Sequence, residues 1–196
     1  MKYIFIIFST IFLLSFSHVV TSQTVDAKSP TVSQPVNKTT PVKKIKWMSF
    51  EQAYQLNKKK PKKIFIDVYT DWCGWCKRMD ATTFIDPVIV EYMNKNFYCV
   101  KMDAERKDTV VIDGVTFINP NPQSRRSTHQ LAVELLQGKL SYPSYVFLNE
   151  KSQMLTVIPG YQQAKDFEPM LHYFSENAYQ NTSWEEFRTK FQGEVK

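Results

Sequence analysis

The chain has 196 residues, with 25 Lys and Arg against 19 Asp and Glu, a formal charge of +6 at neutral pH, and three cysteines. With an export segment and a linker set aside, the remainder suits one domain with one good core, and no internal repeat is visible. The charge is basic but not extreme, and three cysteines are too few to staple a body that needs no staple, so a disulfide scaffold is excluded.

The chain opens on Met1-Lys2, runs apolar from Tyr3 to Phe16 and closes on Val20-Thr21-Ser22 ahead of Gln23. This reads as a secretory signal peptide over 1–22, because its apolar part, about 14 residues, falls short of the roughly 20 that a membrane span needs. An uncleaved N-terminal anchor is the alternative. Cleavage would remove Lys2 and leave a formal charge of +5, from 24 basic and 19 acidic residues. Residues 23–44 hold Pro30, Pro35 and Pro41 among hydroxyl side chains, with no aromatic residue, and cannot bury enough surface to order themselves. They are expected to be a flexible linker to a folded domain over 45–196.

In that domain Ser49 is placed to cap a helix carrying Phe50, Ala53, Tyr54 and Leu56, which ends in lysines before Pro61. Lys58 to Lys60, with Lys62 and Lys63, could suggest nucleic acid or anionic lipid; a solvated corner that complements the helix C-terminus is the preferred reading. Residues 63–69 form an apolar, β-branched run that predicts a buried strand. Helix is expected from Cys76 to about Thr82, and again from Asp86-Pro87 through Val88, Ile89, Tyr92 and Met93, with Asp as cap and Pro in the first turn. A strand over 97–102 contains Cys99, read as a buried, inert thiol. Residues 109–118, with Asp113-Gly114 at the turn, predict a β-hairpin inserted at the surface. Ser127 is expected to cap a helix with Leu131, Val133, Leu135 and Leu136 that Gly138 ends. Strands over 145–148 and 154–158, joined by a polar turn, should be antiparallel neighbours. A helix from Ala164 to about Ala178 and a shorter one capped by Ser183 complete an α/β sandwich around a mixed sheet.

The chemistry is concentrated in Asp71-Trp72-Cys73-Gly74-Trp75-Cys76-Lys77. Two cysteines with two residues between them can open and close a disulfide with little backbone movement. Cys73 falls where a strand hands over to a helix N-terminus, and there the dipole and unpaired N–H groups favour a thiolate. Half of a zinc site is the competing reading, but zinc normally needs four ligands. No second pair exists, Cys99 lies 23 residues beyond Cys76, and one of the three histidines falls in the signal segment. Asp67, between Ile66 and Val68, puts a carboxylate inside an apolar strand, at a cost unless something uses it; a strand-edge Asp facing water is the alternative.

Trp72-Cys73-Gly74-Trp75-Cys76-Lys77 after a central strand, and Tyr142-Pro143-Ser144 before another about 70 residues on, resemble the thioredoxin superfamily. The segments Cys76-Lys77-Arg78-Met79-Asp80, Thr83 to Val88 and Asn96 to Asp103 are similar to exported thioredoxin-like proteins related to the C-terminal domain of the membrane thiol:disulfide interchange reductase. The resemblance covers residues 45–178. It implies a thioredoxin-like fold, a central mixed β-sheet flanked by helices, with the hairpin as an insertion outside the minimal fold. It implies Cys73 as nucleophile, Cys76 as the resolving thiol, Asp67 as general base for Cys76 and Lys101 as the partner of that acid, although a solvated Lys101 fits nearly as well. Pro143 resembles the superfamily's cis-proline, with Tyr142 offering its backbone to an extended substrate. Trp72, Gly74 and Trp75 are expected at the substrate rim, with core packing as the competing view for Trp72, and Tyr69 beneath the site.

No cofactor beyond the Cys73–Cys76 disulfide, no metal and no nucleic acid are expected. The implied partners are protein disulfides and a membrane-bound thiol reductase as electron donor, with export to the periplasm; the membrane enters only if the N-terminal segment stays uncleaved. The implied activity is reduction of protein disulfides. An oxidant or isomerase using the same residues, or a non-catalytic binding or chaperone module, are the alternatives. Gly74-Trp75 stands where a thioredoxin has Gly-Pro, which puts the direction of electron flow in question.

Overall fold

The computed structural model describes residues 43–196, so the expected signal peptide (1–22) and all but the last two residues of the expected linker (23–44) lie outside the described residues. The organising element is β2 (Lys63–Tyr69), whose backbone is paired on both sides. It lies parallel to β3 (Phe97–Asp103) and antiparallel to β6 (Ser144–Leu148). A two-residue strand β1 (Trp47–Met48) extends the sheet beyond β3, and β7 (Met154–Pro159) extends it beyond β6, giving the order β1-β3-β2-β6-β7. The sheet is mixed, as expected for two crossover units followed by a hairpin.

Because β2 is buried on both faces, alternation splits its side chains between two cores. Ile64, Ile66 and Val68 face α1 (Phe50–Lys59) and α4 (Gln130–Leu135), where they meet Phe50, Ala53, Leu131, Ala132 and Leu135. Phe65 faces the other way, toward α2 (Gly74–Ala81), α3 (Pro87–Asn96) and α5 (Ala164–Ser175), among Met79, Phe84, Ile89, Met93, Phe97, Tyr145, Phe147 and Phe167. Asp67 shares that second face by the same alternation. The last helix, α6 (Trp184–Lys190), capped by Ser183, packs Trp184 and Phe187 against Tyr173 of α5.

Local capping chemistry sets most boundaries. Ser49 and Gln52 form a reciprocal capping box at the start of α1, and the Asp86 carboxylate accepts the Val88 and Ile89 N–H groups at the start of α3. The expected hairpin is present as β4 (Val110–Ile112) and β5 (Val115–Phe117), with Asp113 and Gly114 both at positive φ in the turn. It is tied to α1, since Asp113 accepts from Tyr54 and Lys58.

Three readings of the sequence need correction. The cap of α4 is His129 rather than Ser127: the His129 Nδ1 accepts the Leu131 N–H at 3.1 Å, while its Nε2 lies 3.0 Å from the Asp108 carbonyl oxygen. Ser127 is occupied elsewhere, with its hydroxyl donating to the Asn119 Oδ1 and its carbonyl accepting from the Asn119 Nδ2. The lysine corner is not uniformly solvated, because Lys63 is buried and its ammonium reaches Glu150 at 2.6 Å. The long C-terminal helix stops at Ser175, and Asn177 turns left-handed (φ 60°) before a short 3-10 turn over Ala178–Gln180.

Asn119 is the latch of the segment between β5 and α4. It is buried, donates to the Arg106 and Ser127 carbonyls, and accepts from the Ser127 hydroxyl and the Asn121 N–H. Asn119→Ala strands several of these groups at once, at a cost of about 2 kcal/mol. Urea unfolding should show that loss, and hydrogen exchange should accelerate over 119–127 while the β2 amides stay protected.

Candidate active site

The site is assembled where β2 ends. The chain leaves the strand at Tyr69, the Cys73 N–H bonds the Thr70 carbonyl at 3.1 Å, and Cys73 becomes the N-cap of α2. Its sulfur accepts the Cys76 N–H at 3.0 Å, and the two cysteines are joined as a disulfide with their Cα atoms 5.3 Å apart. Both are nearly buried, Cys73 at 5% exposure and Cys76 at 2%. On reduction, the amide that now points at the Cys73 sulfur is in place to stabilise a thiolate, as is the positive end of the helix.

A charged triad ties α2, the helix that carries the pair, to two strands of the sheet. Register sets Asp67 of β2 beside Lys101 of β3, and the Lys101 ammonium meets the Asp67 Oδ2 at 2.6 Å. The same ammonium also pairs with Asp80, four residues after Cys76 on α2. Asp67 is 1% exposed, so it is not a strand-edge carboxylate facing water. Burial pushes its pKa up to about 6; Lys101 opposes the rise, and the like charge of Asp80 adds to it. Burial works against the charge on Lys101, but Asp67 and Asp80 outweigh it and raise its pKa. The aromatic faces of Trp47, Tyr69 and Phe84 surround the ammonium at 5.1 to 5.2 Å. Tyr69 therefore sits under the site as one wall of this cage.

The rim above is aromatic. Trp72 and Trp75 are 50% and 62% exposed, too open for core residues. The Tyr142–Pro143 peptide is cis and directly precedes β6, and the Tyr142 ring meets Trp72 edge-on at 5.9 Å. Trp75 lies 5.4 Å from Tyr161, whose hydroxyl is 3.2 Å from that of Thr82. Gly74 has open space around its α-carbon. All the candidate residues except Lys101 and Asp67 thus line one end of the sheet, and those two lie just below it.

Sequence reasoning missed several participants. Asp80 had a readable signal, since a carboxylate four residues past Cys76 recurs on the same helical face. Glu105 and Arg126 had none. They come from the segment carrying the hairpin and bracket Trp72, with the Glu105 carboxylate accepting the indole N–H at 2.8 Å and the Arg126 guanidinium lying 4.8 Å over the ring. Cys99 stays apart from this chemistry: it is buried, and burial pushes its thiol up to about 12.

Comparison with known proteins agrees with this architecture. The family model Thioredox_DsbH, described as a protein of unknown function (DUF255), matches residues 22–193. Spermatogenesis-associated protein 20 of Mus musculus is 34% identical over 68 residues, covering 35% of this chain and 9% of that protein. Thiol:disulfide interchange protein DsbD of Pectobacterium atrosepticum is 23% identical over 119 residues, or 60% and 17% of the respective chains. The chain spans only 9% to 55% of the length of the curated relatives it matches. Among solved structures, a DsbH oxidoreductase superposes with a TM-score of 0.51 at 16% identity, covering 73% of this chain and 94% of that one. A thioredoxin from Thermus thermophilus gives 0.50 at 13% identity, covering 76% and 99%. The fold is thioredoxin-like.

The raised pKa of Asp67 makes a stability prediction with a definite sign. An acid that ionises near 3.8 when unfolded and near 6 when folded imposes no penalty below pH 4, a growing one between 4 and 6, and the full one above 6. Asp67→Asn should therefore stabilise the oxidised protein at pH 8 by on the order of 2 kcal/mol, with the gain vanishing at pH 4. Denaturant unfolding at the two pH values checks this; a gain that grows on acidification contradicts it.

Proposed function

The chain belongs to the Thioredox_DsbH (DUF255) family, and from that premise we propose that it is an exported thiol:disulfide oxidoreductase that reduces disulfides in other proteins. The observation that carries this reading is the Cys73–Cys76 disulfide at the N-terminus of α2, a helix whose Asp80 shares the Lys101 ammonium with the buried Asp67. Reversible dithiol chemistry needs one thiol made nucleophilic and a second that can be deprotonated on demand, and these elements supply both.

In the proposed cycle the reduced Cys73 thiolate attacks one sulfur of a substrate disulfide. A Cys73–substrate bond forms, and the other substrate sulfur leaves as a thiolate. Asp67 then takes the proton from the Cys76 thiol, and the Cys76 sulfur attacks Cys73. That step closes the Cys73–Cys76 disulfide and expels the second substrate thiolate. Two electrons have passed to the substrate, and an external dithiol must return them before the next turnover. Lys101 steadies the Asp67 charge, while Trp72, Trp75, Tyr142 and Pro143 are proposed to receive the substrate strand.

A reducing direction and a membrane-bound thiol reductase as donor are supported by the similarity to DsbD, and export by the apolar segment over 1–22. Among the described residues no helix is long and apolar enough to cross a membrane. Equilibration with glutathione tests the direction: a reductant should give a potential below about −200 mV, whereas a value near about −120 mV would belong to an oxidant. The division of labour is tested by trapping. Cys76→Ser should accumulate a mixed disulfide with a model substrate and Cys73→Ser should not; equal trapping by both, or full biological activity of the double variant, sinks the mechanism.

A further inference from the structure

The buried face that holds Asp67 contains a second polar group with no task in the cycle above. Tyr145 of β6 is the register partner of Asp67 across the β2–β6 pair, so the two side chains rise from adjacent strands on the same face. Tyr145 is fully buried, and Phe65, Phe84 and Phe167 pack around its ring. Among the described residues its hydroxyl has no hydrogen-bond partner, and neither has the Asp67 Oδ1. The other oxygen of that carboxylate is taken by Lys101.

A phenol is an unexpected choice here. Phenylalanine would pack in the same space without burying a hydroxyl, and an unpaired buried hydroxyl lowers stability. The other buried tyrosine of this cluster, Tyr173, satisfies its hydroxyl by donating to the Thr182 carbonyl at 2.8 Å. The unpartnered atoms of Tyr145 and Asp67 are complementary, one a donor and the other an acceptor, on neighbouring strands.

We propose that the Tyr145 hydroxyl is a positioning partner of Asp67, donating to its Oδ1 through one bound water and so holding the carboxylate ready for the Cys76 proton. Asp67 is faced by Lys101 from β3, by Asp80 from α2, and by Tyr145 from β6; Asp80 and Tyr161 also lie near the phenol. Of these, Lys101 and Tyr145 are the groups that favour an ionised Asp67. Burial and the neighbouring carboxylates raise the Tyr145 pKa, so the phenol keeps its proton and acts as a donor throughout the working pH range. The inference rests on the oxidoreductase reading only in naming Cys76 as the source of the proton.

The test uses the full chain in its oxidised form, without substrate. The ionisation of Asp67 is followed by the infrared band of its protonated carboxyl, assigned by its loss in Asp67→Asn. Removing a hydrogen bond that favours the carboxylate should raise the midpoint in Tyr145→Phe by about one pH unit, a tenfold change in the ionisation constant. A midpoint unchanged in a folded variant overturns the proposal and leaves Tyr145 a packing residue. Should Tyr145→Phe fail to fold, the carbon-13 resonance of the Tyr145 Cζ in the wild-type protein decides. It should step at the Asp67 midpoint and lose that step in Asp67→Asn, and a flat titration in the wild type overturns the idea. Neither readout depends on turnover, so failure of the catalytic reading would be seen separately.

Discussion

The structure depends on one arrangement, the Asp67 carboxylate lodged in the central strand and held by an ammonium from the strand beside it. A charge at that depth is tolerable only with a partner of fixed position, and fixed position follows from β2 and β3 lying parallel with Asp67 opposite Lys101. Register is therefore not interchangeable here: a slip of one residue would turn Asp67 to the other face and leave Lys101 without it. The two apolar cores hold that register by packing β2 from both sides, so the scaffold and the chemistry rely on the same strand alignment.

From that centre the site builds outward in layers. The triad of Asp67, Lys101 and Asp80 links two strands to α2, and α2 carries the two cysteines at its first turn. Above them the rim is supported from outside the sheet. Glu105 and Arg126 hold Trp72, and both come from the segment that contains the hairpin. That segment is anchored in its turn, since Arg106 reaches Glu51 of α1 and the buried His129 joins the Asp108 carbonyl to the start of α4. The residues that flank the hairpin expected over 109–118, rather than the hairpin itself, thus form one wall of the site.

Features legible in the sequence were those encoded within a few residues: the run at 63–69, the Asp113-Gly114 turn, the Ser49, Asp86 and Ser183 caps, and the paired cysteines. The resemblance to a known superfamily added Asp67, Lys101 and Pro143 as expectations, because their meaning lies in partners far along the chain. What stayed hidden was set by distant contacts. Strand β1 has two residues and no periodicity of its own, and it exists through pairing of Trp47 and Met48 with β3. Lys63 looked like one more surface lysine until Glu150 was found beside it, 87 residues away in sequence. Ser127 had the right chemistry for a helix cap, but Asn119 had already engaged it. Tyr145 read simply as one apolar residue of a strand, since only the antiparallel register reveals Asp67 as its neighbour.

The third cysteine brings a practical benefit. Cys99 is sealed in the core with a thiol that resists ionisation and Cys76 is 2% exposed, whereas Cys73, at 5%, stands at the N-cap of α2 with its thiolate favoured. An alkylating reagent applied briefly to the native, reduced protein should add one label, at Cys73, and after denaturation three. The buried sulfurs thus act as a built-in standard: in one mass spectrum, labels beyond the first report whether the molecules counted as reduced were also folded.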